Sequence, residues 1–411
     1  MPGSGMKNML IISRYCAYDK ARYAGSQIHN YYLKRLHRDF NIKLVTVADP
    51  ADAGELDFKK YGIDADVIFV DEHPRRALFF LLFNWRNIFN YFGKTHGLVN
   101  GYVQRLILKR VKALRNQGYC PDCVLLEWTQ IVLMSGAIKK IFPNAAFIAV
   151  EHDVSFQKFQ RIQATSHGLS ILKERLRFPS IKKAEISSLR QVDLIVPLNG
   201  KDRDLLIDHG MPKEAIHVIA PFFTDYGDVR YNPLATAILF FGAMDRPENY
   251  LSIAWFIERV FQPRLAAKYS LSIVGIRPHA SLDKYRSEKI MITGFVQDIR
   301  PYLENSICMV APLLLGAGIK IKVIEAMSAG LPVLGNSVAI EGIPAIDGKH
   351  YLHAEKPEEY LRHFESIRTK RTDLRALSNN AKKLVVDTFN LEKSYASYKQ
   401  AIIDVCGYTR R

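Results

Sequence analysis

The sequence lacks any apolar run long enough to cross a bilayer as a helix. Such a span needs about 18 apolar residues, and the nearest approach, residues 77–92 (ALFFLLFNWRNIFNYF), is shorter and broken by Arg86. A cysteine framework is also missing. Five cysteines in 411 residues, an odd number without regular spacing, exclude a disulfide-stapled scaffold and fit a reducing compartment. The Cys120/Cys123 pair has no second pair to complete a zinc site, so packing before the strand at 124–126 is its simpler role. The opening residues, MPGSGMKN, contain no apolar signal-peptide core. No helix-turn-helix, zinc-finger or RNP-like pattern is present, which argues against a nucleic-acid partner. Internal repeats and low-complexity tracts are absent too.

What remains is the composition of a soluble globular protein, 48% hydrophobic and 24% charged. Its 411 residues exceed one ordinary core and predict two domains. The expected boundaries are 1–220, a linker at 221–235 rich in Pro, Gly, Asp and Asn, a second domain at 236–390, and a C-terminal helix at 391–411 crossing back to the first. The net charge of +16 is unevenly placed: residues 1–210 carry 31 Lys/Arg against 20 Asp/Glu, the remainder 26 against 21. That asymmetry predicts an anionic partner for the first half, best met by an anionic membrane leaflet.

Residues 308–335 are the most informative stretch. The apolar run Cys308–Ala311 reads as a buried strand ended by Pro312. Gly316 and Gly318 follow, where a backbone can approach a ligand closely. Ile319, Val323, Ala326 and Met327 then recur at helical spacing, and Gly330 with Pro332 marks the stop. Strand, glycine turn, helix and strand form one βαβ unit whose helix N-terminus suits a phosphate. Lys320 and Lys322 add charge to that anion site, while Glu325, about two turns in, suits a ribose diol. No Gly-Lys-Ser/Thr follows the glycine pair, so the phosphate loop of nucleotide hydrolases is excluded. Taken alone, these residues also fit a buried turn before an ordinary amphipathic helix with solvated lysines.

The segment GAGIKIKVIEAMSAGLPVLG (316–335), with Glu341-Gly342 after it, resembles the donor-site segment of retaining nucleotide-sugar glycosyltransferases of the GT-B fold, most closely family 4 (the group 1 glycosyltransferases). AILFFGAMDRPEN (237–249), MITGFVQDIRPYL (291–303) and VEHDV (150–154) fall in the family's order. The resemblance implies an α/β protein of two Rossmann-like doubly wound domains facing each other across a cleft. It implies a nucleoside-diphosphate sugar held mainly by the second domain, with the diphosphate on the Gly316–Lys322 turn and near Arg246. Gly25 would face the phosphates, Gly294 would lie in the segment that receives the base, and Glu325 would bind the ribose. It also implies retention of configuration and a saccharide acceptor. The family often carries a Glu-x7-Glu pair; here Glu325 is the second member and Ala317 replaces the first. With no Asp-x-Asp motif at a strand end, no metal or other cofactor is expected.

In the first half, Ser26 is the expected N-cap of a helix and Gly25 sits at its junction. The strand at 147–150 ends at Glu151-His152-Asp153, where polar residues line the ligand crevice of a parallel sheet. His152 matches the family's histidine near the transferred sugar, with Glu151 or Asp153 as its expected orienting neighbours. Residues 73–118 and the basic helical region after 155 suit a lipid-linked acceptor or a membrane interface on the inner face of a cell membrane. A core helix with a solvated basic face fits them equally. Two other functions stay open: a silent saccharide-binding or assembly protein, and a nucleotide-sugar epimerase.

Overall fold

A computed structural model of the chain describes residues 6–21, 23–71, 101–157, 160, 169–316 and 318–408. Ala317 and the aromatic segment 77–92 lie outside the described residues, as does most of 158–168. The chain divides into two compact units, Met1–Phe222 with Leu391–Arg411, and Phe223–Asn390.

Unit 1 is built on a parallel sheet of β1 (Asn8–Ser13), β2 (Asn41–Ala48), β3 (Asp64–Phe69), β4 (Cys123–Glu127), β5 (Ala146–Glu151) and β6 (Leu194–Pro197), in the order 3-2-1-4-5-6. β4 and β5 are buried at every position, as a parallel sheet covered on both faces demands. Helices α1 (Ala24–Leu36), α2 (Gly101–Asn116) and α3 (Leu169–Leu189) join these strands. α2 buries Val103, Ile107, Val111 and Leu114 in the core of the unit.

Unit 2 repeats the plan with β7 (Ala237–Phe241), β8 (Ser270–Val274), β9 (Ile290–Ile292), β10 (Ser306–Ala311), β11 (Val333–Gly335) and β12 (Leu352–His353), in the order 12-11-10-7-8-9. Counted within the unit, this is again 3-2-1-4-5-6, the doubly wound order. α4 (Pro247–Phe256) follows β7, and α5 (Ile321–Ser328) follows β10. The final helix, α8 (Leu391–Tyr408), belongs to unit 1, after α6 (Pro357–Arg368) and α7 (Leu374–Thr388) of unit 2.

In this topology the chain reverses its winding between the first and fourth strands, and the crevice beyond their C-terminal ends is where ligands bind. That point lies past Ser13 and Glu127 in unit 1, which are in register. In unit 2 it lies past Phe241 and Ala311. Among the described residues, no helix is long and apolar enough to cross a membrane.

Candidate functional site

The switch point of unit 2 is occupied by the glycine turn. Gly316 and Gly318 have φ of 128° and 69°, a region that favours glycine over any residue with a Cβ. A Cβ on Gly316 would also lie 3.3 Å from Lys320 Cε. The turn delivers the chain to α5, which starts at Ile321, with Lys320 in the N-cap position. Ile319 therefore precedes the helix, and Glu325 is its fifth residue, just over one turn in. The helical spacing of Ile319 came from apolar periodicity, whereas the hydrogen-bond ladder begins only when Val323 N–H reaches Lys320 O at 2.9 Å.

Three cations surround this helix N-terminus. Lys320 Nζ donates to Gly318 O at 2.5 Å and lies 3.6 Å from Glu341. Lys322 Nζ donates to Asn249 Oδ1 at 2.7 Å and sits 4.4 Å from the centre of the Phe240 ring. Burial, together with neighbouring Lys320, pulls the Lys322 pKa down to about 7. Asn249 is itself fixed by donating to Ala243 O at 2.8 Å. Arg246 holds the N-cap position of α4 and pairs with Glu248 at 2.6 Å. Electrostatically, Lys322 thus shares its surroundings with both Lys320 and Arg246. Glu325 Oε1 accepts the Thr224 N–H at 3.1 Å, and burial pushes its pKa up to about 7 against that hydrogen bond. Gly294 follows β9. It has a φ of 79°, and its carbonyl accepts the Gly275 N–H at 3.1 Å.

In unit 1 the switch point holds a different constellation. Glu127, buried at the end of β4, takes a hydrogen bond on each oxygen: His29 Nδ1 at 3.0 Å on Oε1 and His152 Nε2 at 2.8 Å on Oε2. Burial alone would raise its pKa; the two imidazoles reverse this and hold it at about 2. Trp128 stacks on His152, ring centres 4.4 Å apart and 9° from parallel, and meets His29 edge-on. Its backbone has φ 70° and ψ 146°, a conformation that costs a non-glycine residue about 1–3 kcal/mol. Gly25 lies against this group: a Cβ there would come within 3.3 Å of Trp128 Nε1 and 3.5 Å of His152 Nδ1.

Two local expectations are corrected. α1 is capped by Tyr23 and not by Ser26, because Gln27 N–H already reaches Tyr23 O at 3.0 Å; Ser26 is buried inside the first turn. The residue orienting His152 is Glu127 on the neighbouring strand and not a chain neighbour. Glu151 instead accepts from Thr129 Oγ1 at 2.5 Å. Glu127 and His29 were absent from the sequence-based candidates, although Glu127 satisfies the same strand-end rule that singled out His152. The structure therefore groups Gly316, Gly318, Lys320, Lys322 and Arg246 around one helix start, puts Glu325 one turn further along, and sets Gly25 beside His152. Among the described residues, no group of three His, Cys, Asp or Glu could hold a metal ion.

Residues 235–369, which hold the whole unit-2 cluster, match the family model described as Glycosyl transferases group 1. Over these residues the chain is similar to group 1 glycosyltransferases. The fold of the whole chain is that of GT-B glycosyltransferases. HepE from Anabaena, solved with UDP, aligns over 97% of this chain and 100% of its own, at 12% identity and a TM-score of 0.65. Sucrose-phosphate synthase from Thermosynechococcus elongatus aligns over 98% and 99%, at 15% identity and 0.67. The lipopolysaccharide outer core galactosyltransferase WaaB aligns over 97% and 99%, at 11% identity and 0.61. No curated protein matches by sequence. The matched region begins just before β7 and ends within the turn after α6, so it spans both strands that flank the unit-2 switch point.

Proposed function

We propose that the protein is a retaining glycosyltransferase that takes a sugar from a nucleoside diphosphate and passes it to a saccharide or lipid-linked acceptor. The observation that carries this is the unit-2 cluster inside the matched region: a glycine turn, a helix N-terminus and three cations at the point where a doubly wound sheet binds ligands. Leaving of the nucleoside diphosphate places charge on the β-phosphate. Lys320, Lys322, Arg246 and the α5 dipole supply preorganised positive potential there, so transfer needs no metal. Glu325, held by Thr224, accepts from the ribose hydroxyls in this reading. Gly294 belongs to the segment assigned to the base. In unit 1, Gly25 lets Trp128 and His152 pack against the start of α1, and His152 positions the transferred sugar in this reading. Retention follows if the acceptor attacks from the leaving-group face and the departing phosphate takes its proton.

The solved complexes of HepE contain UDP and UDP-glucose, which makes a uridine donor the first to try here. The acceptor reading rests on charge. The exposed face of α2 carries Arg105, Lys109, Arg110, Lys112 and Arg115 with no acidic residue among them, which suits an anionic membrane surface on the cytoplasmic side. The test is turnover: the chain is incubated with UDP-, GDP-, ADP- and TDP-sugars, with and without a membrane extract. The proposal predicts release of nucleoside diphosphate that rises with the extract and a new α- or β-linkage matching the donor's anomer. An inverted linkage overturns the stereochemical part. Donor isomerised without acceptor would make the protein an epimerase, and binding without turnover would make it a silent binder.

A further inference from the structure

Glu127, His29 and His152 come from three separate elements, β4, α1 and the end of β5, and meet at one carboxylate. All three side chains are nine-tenths or more buried, at 5%, 1% and 8% exposure. A buried carboxylate is acceptor-only when ionised, so each imidazole must present an N–H to it. For His29 that proton is on Nδ1 and for His152 on Nε2. The opposite nitrogens, His29 Nε2 and His152 Nδ1, are buried and make no hydrogen bond. Trp128 fixes the plane of the His152 ring by stacking, and Glu127 fixes its rotation within that plane.

We propose that Glu127 is a positioning residue that sets the tautomer and orientation of His152, with His29 occupying the other carboxylate oxygen so that Glu127 cannot turn away. In its neutral form His152 is held with its proton on Nε2 and its lone pair on Nδ1, beside Gly25. An imidazole in that state keeps its acceptor nitrogen packed against Gly25. The neighbouring titratable groups leave this arrangement in place. Tyr398 of α8 feels the Glu127 charge, and burial keeps its hydroxyl protonated. Glu151 on β5 is bonded to Thr129 and pushed well up by burial and by Glu185. Asp153 follows His152 in the chain, and Tyr15 meets Trp128 edge-on.

The proposal rests on the glycosyltransferase reading only for the role of His152; the tautomer is decided independently. The experiment is ¹⁵N NMR of the histidine-labelled full chain at pH 8, with the His152 signals assigned by difference from His152→Gln. Wild type is expected to show His152 as the Nε2–H tautomer with a pyridine-like Nδ1. In Glu127→Gln, where an amide replaces one acceptor oxygen, the expectation is a mixed or reversed tautomer and a kcat reduced at least tenfold, with the donor KM within twofold of wild type. Glu127→Asp should recover part of both. A wild-type His152 carrying its neutral proton on Nδ1 overturns the proposal whether or not the Glu127 variants fold. So does a Glu127→Gln protein that keeps the wild-type tautomer. If the chain shows no transfer at all but the wild-type tautomer is as stated, the positioning stands and the catalytic reading of His152 falls.

Discussion

Lys322 has its ammonium bonded to Asn249 and laid over Phe240, where burial brings its pKa down to about 7. A diphosphate placed beside it would favour the charged form and restore a higher value. Binding is then coupled to proton uptake. Affinity for a nucleoside-diphosphate sugar, which has no titrating proton near neutrality, should be full below pH 7. As pH rises above 7 it should weaken, by at most about tenfold per pH unit for one proton. Calorimetry in two buffers of different ionisation heat checks this, and Lys322→Met should bind more weakly and lose the pH step. How far these residues could be read in advance differs between the two units. In unit 2 Gly316, Gly318, Lys320, Lys322 and Glu325 lie within ten positions of one another, so local spacing groups them, whereas Asn249 reaches Lys322 from 73 residues away. In unit 1 the His29–Glu127 pair spans 98 residues. Only the order of strands brings it together, and one sequence does not print strand order.

The helices α1, α2 and α5 show the same division at the level of elements. Apolar periodicity announces each of them, because a helix against a sheet must bury one stripe. Their ends are less legible. α5 begins two residues after Ile319, since a positive-φ glycine at 318 cannot continue a right-handed helix. α1 begins before Ser26 because Gln27 N–H already reaches Tyr23 O. For α2, the stripe Val103, Ile107, Val111 and Leu114 is buried as its spacing requires, which leaves the basic face outward. If that face meets an anionic surface, each cation contributes about 1 kcal/mol. Reversing two of them, Lys109→Glu with Lys112→Glu, should lower co-sedimentation with phosphatidylserine-containing vesicles at low salt by at least tenfold. Equal binding by the variant would assign the face to solvent.

At the scale of the whole molecule, the two units share a strand order but not the chemistry at their switch points. Unit 1 carries a buried carboxylate between two imidazoles, and unit 2 a helix N-terminus ringed by cations. The second suits an anion, as a helix N-terminus with lysines beside it does. The rhythm of strand and helix was open to reading along the chain because fully buried parallel strands appear as short apolar runs bounded by glycine and proline. The acceptor was not, since the segment 77–92 that bears on it carries no motif beyond aromatic and basic composition. The central claim is that unit 2 binds a nucleoside-diphosphate sugar through Glu325 and the glycine turn. Calorimetric titration of wild type and Glu325→Ala with UDP-, GDP-, ADP- and TDP-sugars tests it most directly. The account predicts saturable binding of one base class by wild type and at least tenfold weaker binding by the variant. Binding of none of the four, or equal binding by both proteins, would contradict it.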